Sequence, residues 1–184
     1  MGAKHFGARV ARLEDPALLT GHGRFVDDLH FPGLLHAAFL RSPHAHALIR
    51  GIDKRAALHA PGVRAVLTLA DLMPPLTTER LPLQFRNAQL PPDITPFALA
   101  KDEVAFVGEA VAVVLAETRY SAEDAAALVA VDYEPLQAVS DCRKALEPGA
   151  PPAFRNKKSN LLVEFKQAYG DVAAAFARAP RPRQ

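Results

Sequence analysis

The sequence has no tryptophan, a single cysteine and no excess of either charge. With Cys142 alone, no internal disulfide can form, and no multi-cysteine zinc or iron–sulfur site can be built from this chain. A reducing compartment is expected. Twenty-two basic against 20 acidic residues leave a formal charge of +2. The basic residues are scattered instead of forming a stripe, which argues against nucleic acid as a partner. No run approaches the roughly 20 apolar residues of a membrane span. The opening stretch lacks the apolar centre of a signal peptide, so a cytoplasmic location is the default expectation.

What is present is the composition of an ordinary globular domain: 49% hydrophobic and 23% charged residues over 184 positions. The opening, residues 12–33, is rich in Gly, Asp and Pro without sustained periodicity, and reads as an N-terminal arm covering 1–33. Two apolar runs, 35–40 and 45–52, are broken by Ser42-Pro43 and predict two strands joined at a turn. Asp53 is the candidate cap of a short helix over 54–59, followed by Pro61-Gly62 and a strand over 63–69. Prolines at 74, 75, 82, 91, 92 and 96 make 72–96 a long loop.

A strand is expected over 103–107. After Gly108, the run 110–116 is apolar enough to be buried on both faces. Ser121-x-x-Asp124 has capping-box form, and Ala125, Leu128 and Val129 share one face of the helix it would start. Residues 129–133 should return as a strand ended by Pro135, and Ser140 or Asp141 could cap a last short helix to Leu146. Residues 34–147 then form one α+β domain, a mixed β-sheet with packed helices and a Pro-rich central loop. Residues 148–184 read as a linker and the start of a following domain, with a strand over 161–165, a helix over 171–177 and a short basic tail.

Few side chains suggest chemistry. His36, His44 and His46 include a His-x-His pair that could face one metal, although histidines at a strand start can equally bind backbone groups. Asp27 and Asp28, after Gly21-His22-Gly23-Arg24, could act as an acid–base pair or Mg²⁺ ligands. Adjacent side chains diverge, so capping turns and pairing with Arg24 is the favoured role. Gly108 could admit a ligand or simply make a turn. Cys142 lies beside Arg143 and Lys144, which could activate a thiol, but a lone helical cysteine is more often inert. The sequence contains no G-x-G-x-x-G, P-loop or G-x-S-x-G. No catalytic, cofactor-binding or metal-binding residue is assigned.

The residues without an evident local purpose carry a resemblance. Arg12-Leu13-Glu14-Asp15, Leu19-Thr20-Gly21-His22-Gly23-Arg24-Phe25-Val26-Asp27-Asp28 and the run from Leu34 through Ser42-Pro43-His44-Ala45-His46-Ala47 resemble the opening of molybdenum hydroxylase large subunits. That family comprises xanthine dehydrogenase, aldehyde oxidase and aerobic carbon monoxide dehydrogenase. Pro61-Gly62-Val63, Val107-Gly108-Glu109-Ala110-Val111-Ala112, Ala122-Glu123-Asp124-Ala125-Ala126 and Val131-Asp132-Tyr133-Glu134-Pro135-Leu136 continue the likeness through the family's α/β hammerhead domain. One departure is Ala110, where the family commonly has Pro.

The resemblance implies an enzyme that hydroxylates carbon with oxygen from water on molybdopterin cytosine dinucleotide, or in animal relatives plain molybdopterin, with iron–sulfur and FAD groups in partner subunits of bacterial members. It implies that the pterin contacts, the catalytic glutamate and substrate selection belong to domains beyond this one. Tyr169-Gly170-Asp171-Val172 resembles the hinge leading to them. The chain is then expected to be a structural domain or fragment, non-catalytic alone. Arg24, Asp27, Asp28, His44 and His46 are candidate contacts to the molybdopterin-binding domains or the iron–sulfur subunit. The alternative is a stand-alone scaffold domain without redox activity, which should carry polar replacements where partners once sat.

Overall fold

A computed structural model describes residues 7, 11–82, 92–167 and 169–179. Part of the Pro-rich loop, 83–91, most of the first ten residues and the basic tail from 180 onward lie outside the described residues. The chain divides into two units, Met1–Leu35 and His36–Gln184.

In the first unit α1 spans Asp15–Leu19, and a 3-10 turn spans Val26–Asp28. The helix was not expected. Its apolar residues are too few for periodicity, and it rests on Pro16 in the first turn and on acidic Asp15 at its positive end.

Among the described residues, the second unit carries six strands in two three-stranded antiparallel sheets. β1 (His36–Arg41), β5 (Ala110–Ala116) and β3 (Val63–Leu67) make the first, in the order β1-β5-β3. β4 (Glu103–Val104), β2 (Ala47–Asp53) and β6 (Ala130–Pro135) make the second, in the order β4-β2-β6. The Ser42-Pro43 turn therefore joins two sheets instead of closing a hairpin. α2 (Arg55–Leu58), between β2 and β3, likewise leads from one sheet to the other. The α+β hammerhead architecture expected from the sequence stands.

β5 holds the domain together. It lies between β1 and β3, and its valines enter three clusters. Val114 packs with Val66, Ala57, Ala125, Ala126 and Val129. Val111 packs with Ala47, Ala100 and Val104, and Val113 with Leu69 and Leu99. At roughly 1.5–3 kcal/mol for each fully buried aliphatic side chain, this strand contributes more than any other element.

Several local expectations are corrected. α3 runs Arg119–Ala127, and its cap is Thr118, whose Oγ1 accepts the Ser121 N–H at 3.1 Å. Ser121 and Asp124 fall inside the helix because Thr118 is the last extended residue. Lys54 occupies the cap position of α2, while Asp53 accepts the Arg55 N–H at 3.0 Å. The strand expected over 103–107 is two residues long, because the chain turns back at 105–109. Near 141–146 the structure has only a 3-10 turn, Lys144–Leu146. Residues 161–165 pair with no strand among the described residues. α4 (Val172–Arg178) forms as expected, with Asp171 accepting the Ala174 N–H at 2.9 Å.

Candidate functional site

The polar groups of the hammerhead converge where the Ser42-Pro43 turn, β4 and the segment after residue 150 meet. The turn is fixed from both sides. Ser42 N–H donates to the Glu109 carbonyl at 2.9 Å, and Gly108 N–H donates to the Ser42 carbonyl at 2.8 Å. Gly108 has φ +89°, and a Cβ there would meet no atom within 4 Å. Of the two readings of this glycine, the turn is what the backbone shows: positive φ is required, and nothing approaches closely. Ser42 Oγ then accepts the His44 N–H at 3.0 Å, and the His44 ring tilts against Tyr133 at 4.9 Å.

His46, two residues on, points inward. Its side chain is 5% exposed; Nδ1 lies 3.0 Å from the Gln137 carbonyl and Nε2 2.7 Å from Oε1 of Glu103. Glu103 reaches that position because β4 pairs with the start of β2, Ala47 against Val104 and Leu48 against Glu103. The same Oε1 accepts the Arg155 N–H at 2.8 Å, and the Arg155 guanidinium lies 3.6 Å from Oε2 while also pairing with Asp102. Two residues further on, Lys157 binds Asp93 at 2.6 Å. Asn160 donates to the Ala145 and Pro151 carbonyls at 2.9 Å and accepts the Ala153 N–H at 2.7 Å.

A cleft of about 390 Å³ lies beside this cluster, walled by Arg80, Phe97, Glu103, Phe106, Glu109 and Phe154 among others. Arg80 stacks over Phe97 at 3.9 Å. Glu109 is buried there, and loss of solvent pushes its carboxyl above the ordinary value. Its Oε2 accepts the Ala105 N–H at 2.7 Å, which closes the turn that shortens β4. The acids and bases of the cleft are mostly committed to one another, so its chemistry is one of fixing segments in place.

The sequence-selected residues are thus dispersed. His36 begins β1, whereas His44 and His46 follow its far end, roughly 20 Å along a six-residue strand. The three histidines do not form one ligand set. Among the described residues no group of three His, Cys, Asp or Glu side chains is placed to hold a metal. Arg24, Asp27 and Asp28 are exposed in the first unit. Asp28 Oδ2 accepts the Phe25 N–H at 2.9 Å and so closes the 3-10 turn. Cys142 is exposed. Sequence reasoning missed Glu103, Arg155 and the buried role of Glu109. Glu103 and His46 are 57 positions apart, and nothing local links them. An acid leading the apolar stretch 104–107 was the only available signal.

Comparison with known proteins gives a consistent result. The family described as aldehyde oxidase and xanthine dehydrogenase, a/b hammerhead domain, matches residues 20–137. The large subunit of nicotine 6-hydroxylase from Paenarthrobacter nicotinovorans is 43% identical over 94% of this chain and 21% of its own length. The carbon monoxide dehydrogenase large chain of Afipia carboxidovorans is 45% identical over 79% of this chain and 17% of its own. Among solved structures, quinoline 2-oxidoreductase from Pseudomonas putida 86 superposes with a TM-score of 0.73 at 39% identity, over 94% of this chain and 21% of that one. The chain thus spans about a fifth of the length of these relatives.

Proposed function

Because the chain belongs to the aldehyde oxidase and xanthine dehydrogenase a/b hammerhead family, we propose that it serves as the N-terminal structural domain of a molybdenum hydroxylase large subunit. In this reading it supplies packing surface and no catalytic group. Arg24, Asp27 and Asp28 of the arm, with His44 at the turn, contact the molybdopterin-binding domains or the iron–sulfur subunit. His46, being buried, supports that turn from within. The domains run 1–33 as arm, 34–147 as hammerhead and 148–184 as the lead into the next domain. The complete enzyme carries molybdopterin cytosine dinucleotide, with iron–sulfur and FAD groups in partner subunits, and works in the cytoplasm. No residue here is assigned to hold a cofactor.

One structural observation supports this reading beyond the family match. No described residue of the arm is buried, yet Leu13, Leu19, Phe25, Val26 and Phe31 are all more than half exposed. An autonomous scaffold domain would carry polar residues there.

The test is native mass spectrometry of the tagged chain isolated from its source cells, alongside an Asp28→Lys variant. The expected result is association with a molybdenum-containing body and an iron–sulfur subunit, weakened by the charge reversal. Isolation of the chain alone and metal-free, or indifference to the substitution, counts against the reading.

A further inference from the structure

A sheet edge invites another strand, because its outward N–H and C=O groups lack ladder partners. Among the described residues, three of the four edges of the two sheets are blunted. β4 is two residues long. β6 carries Asp132 and Glu134 and ends at Pro135, which has no N–H to offer. β3 takes up an extra residue, Arg64, in its pairing with β5, and Arg64 is bound to Glu117. β1 is different. It is six residues long without proline or acid, and the extra residue in its pairing, Val111, falls on β5.

The direction of its free groups follows from the neighbouring turn. Ser42 N–H donates to the Glu109 carbonyl, and the Ser42 carbonyl accepts from Gly108. Antiparallel alternation then sends the backbone groups of Leu40, Ala38 and His36 toward β5, and those of Arg41, Phe39 and Ala37 away from it. The side chains of Ala37, Phe39 and Arg41 lie exposed on one face. Arg41 lies 5.6 Å from the centre of the Phe39 ring and donates to the Gly108 carbonyl at 2.9 Å, which holds it in place. Among the described residues no carboxylate pairs with it. The turn that anchors it exposes Phe106 and Val107. A fixed guanidinium with unused donors beside apolar surface is suited to receive a carboxylate.

We infer that the free edge of β1 receives an extended strand from the part of the large-subunit polypeptide outside these 184 residues, and that this strand carries an acid for Arg41 two positions from an apolar residue that covers Phe39. The spacing follows from the pleat, since residues opposite each other on paired strands stand about 5 Å apart on the same face. Charge selects an acidic strand, because a basic one would meet Arg41 with like charge. The inference rests on the proposed function. The chain spans 21% and 17% of the length of two relatives, so most of such a polypeptide is available to supply the strand.

The tagged chain is isolated from its source cells with Arg41→Lys introduced, so that a carbodiimide can join the amine at this position to a carboxylate in contact with it. The expected cross-link leads to an Asp or Glu elsewhere in the large subunit with an apolar residue two positions away. The amides of Ala37, Phe39 and Arg41 should also exchange more slowly in the assembly of the unsubstituted chain than in the isolated 184-residue chain. Ala37→Pro removes a donor from the free edge and none from the β1–β5 ladder, so the isolated variant should melt with the wild type while its association weakens about tenfold. Should the proline unfold the chain, the cross-link and the exchange rates decide. A cross-link to the iron–sulfur subunit, or equally fast β1 exchange in an intact assembly, overturns this inference and leaves the proposed function standing. Isolation of the chain alone overturns both.

Discussion

The arm and the hammerhead both carry many apolar residues, but they use them in opposite ways. In the hammerhead, Val111, Val113 and Val114 are each buried, and three clusters of side chains close around them. In the arm the apolar side chains face outward, and its order comes from short-range polar contacts. Thr20 Oγ1 donates to the Pro16 carbonyl at 2.7 Å, and Asp28 accepts from Phe25. One unit is stabilised by burial, the other by local turn chemistry, which shapes a short segment without supplying a core.

The largest expected effect comes from testing burial itself. Leu99 is 1% exposed, and Leu99→Ala should cost about 2–5 kcal/mol in chemical unfolding. Leu19→Ala in the arm, at 86% exposure, should stay within about 0.5 kcal/mol. A comparable loss from both would mean that the arm is packed in solution.

A matched pair of glycines sharpens the contrast. Gly108 and Gly21 have φ of +89° and +73°, and neither has an atom within 4 Å of an added Cβ. The backbone cost of alanine, about 1 kcal/mol, is thus similar at both. Gly108→Ala should lower the melting temperature by several degrees, whereas Gly21→Ala should leave it unchanged and alter only the amide exchange of the arm. Equal shifts in melting would join the two units into one cooperative transition.

The smallest effect is electrostatic. The Lys54 ammonium, with the Thr68 N–H, holds the Asp71 carboxyl down at about 2, below its ordinary 3.8. A depressed carboxyl stabilises the fold above its unfolded value and ceases to do so as pH falls through the folded one. Stability should therefore decline between about pH 4 and pH 2, by about 1 kcal/mol once solvent screening is counted. Asp71→Asn should flatten that decline in acid-dependent melting.

Much of this molecule was legible from local sequence. The apolar run 110–116 is the central strand the sequence leads one to expect, because a strand buried on both faces has no room for polar alternation. α4 begins where Asp171 can cap it. The misplaced start of α3 shows the limit, since Ser121 and Thr118 are both good caps and only the extended backbone at Thr118 separates them. Residues 161–165 have the composition of a strand without a pairing partner among the described residues, because composition fixes the preference for a strand and not the edge that receives it.

The polar cluster lay beyond such reasoning. His46 invited a metal reading because His44 stands two residues before it, but its partners in space are Glu103 and Gln137, with Arg155 bound to Glu103 in turn. The sequence by itself determined most strands of the hammerhead, the helix that Asp171 caps and the family the chain belongs to, because period, caps and motifs are short-range signals. The division of the strands between two sheets, and the meeting of His46, Glu103 and Arg155 across more than a hundred positions, were decided only by the tertiary structure. Those contacts depend on how buried surfaces stack, and no local preference encodes that.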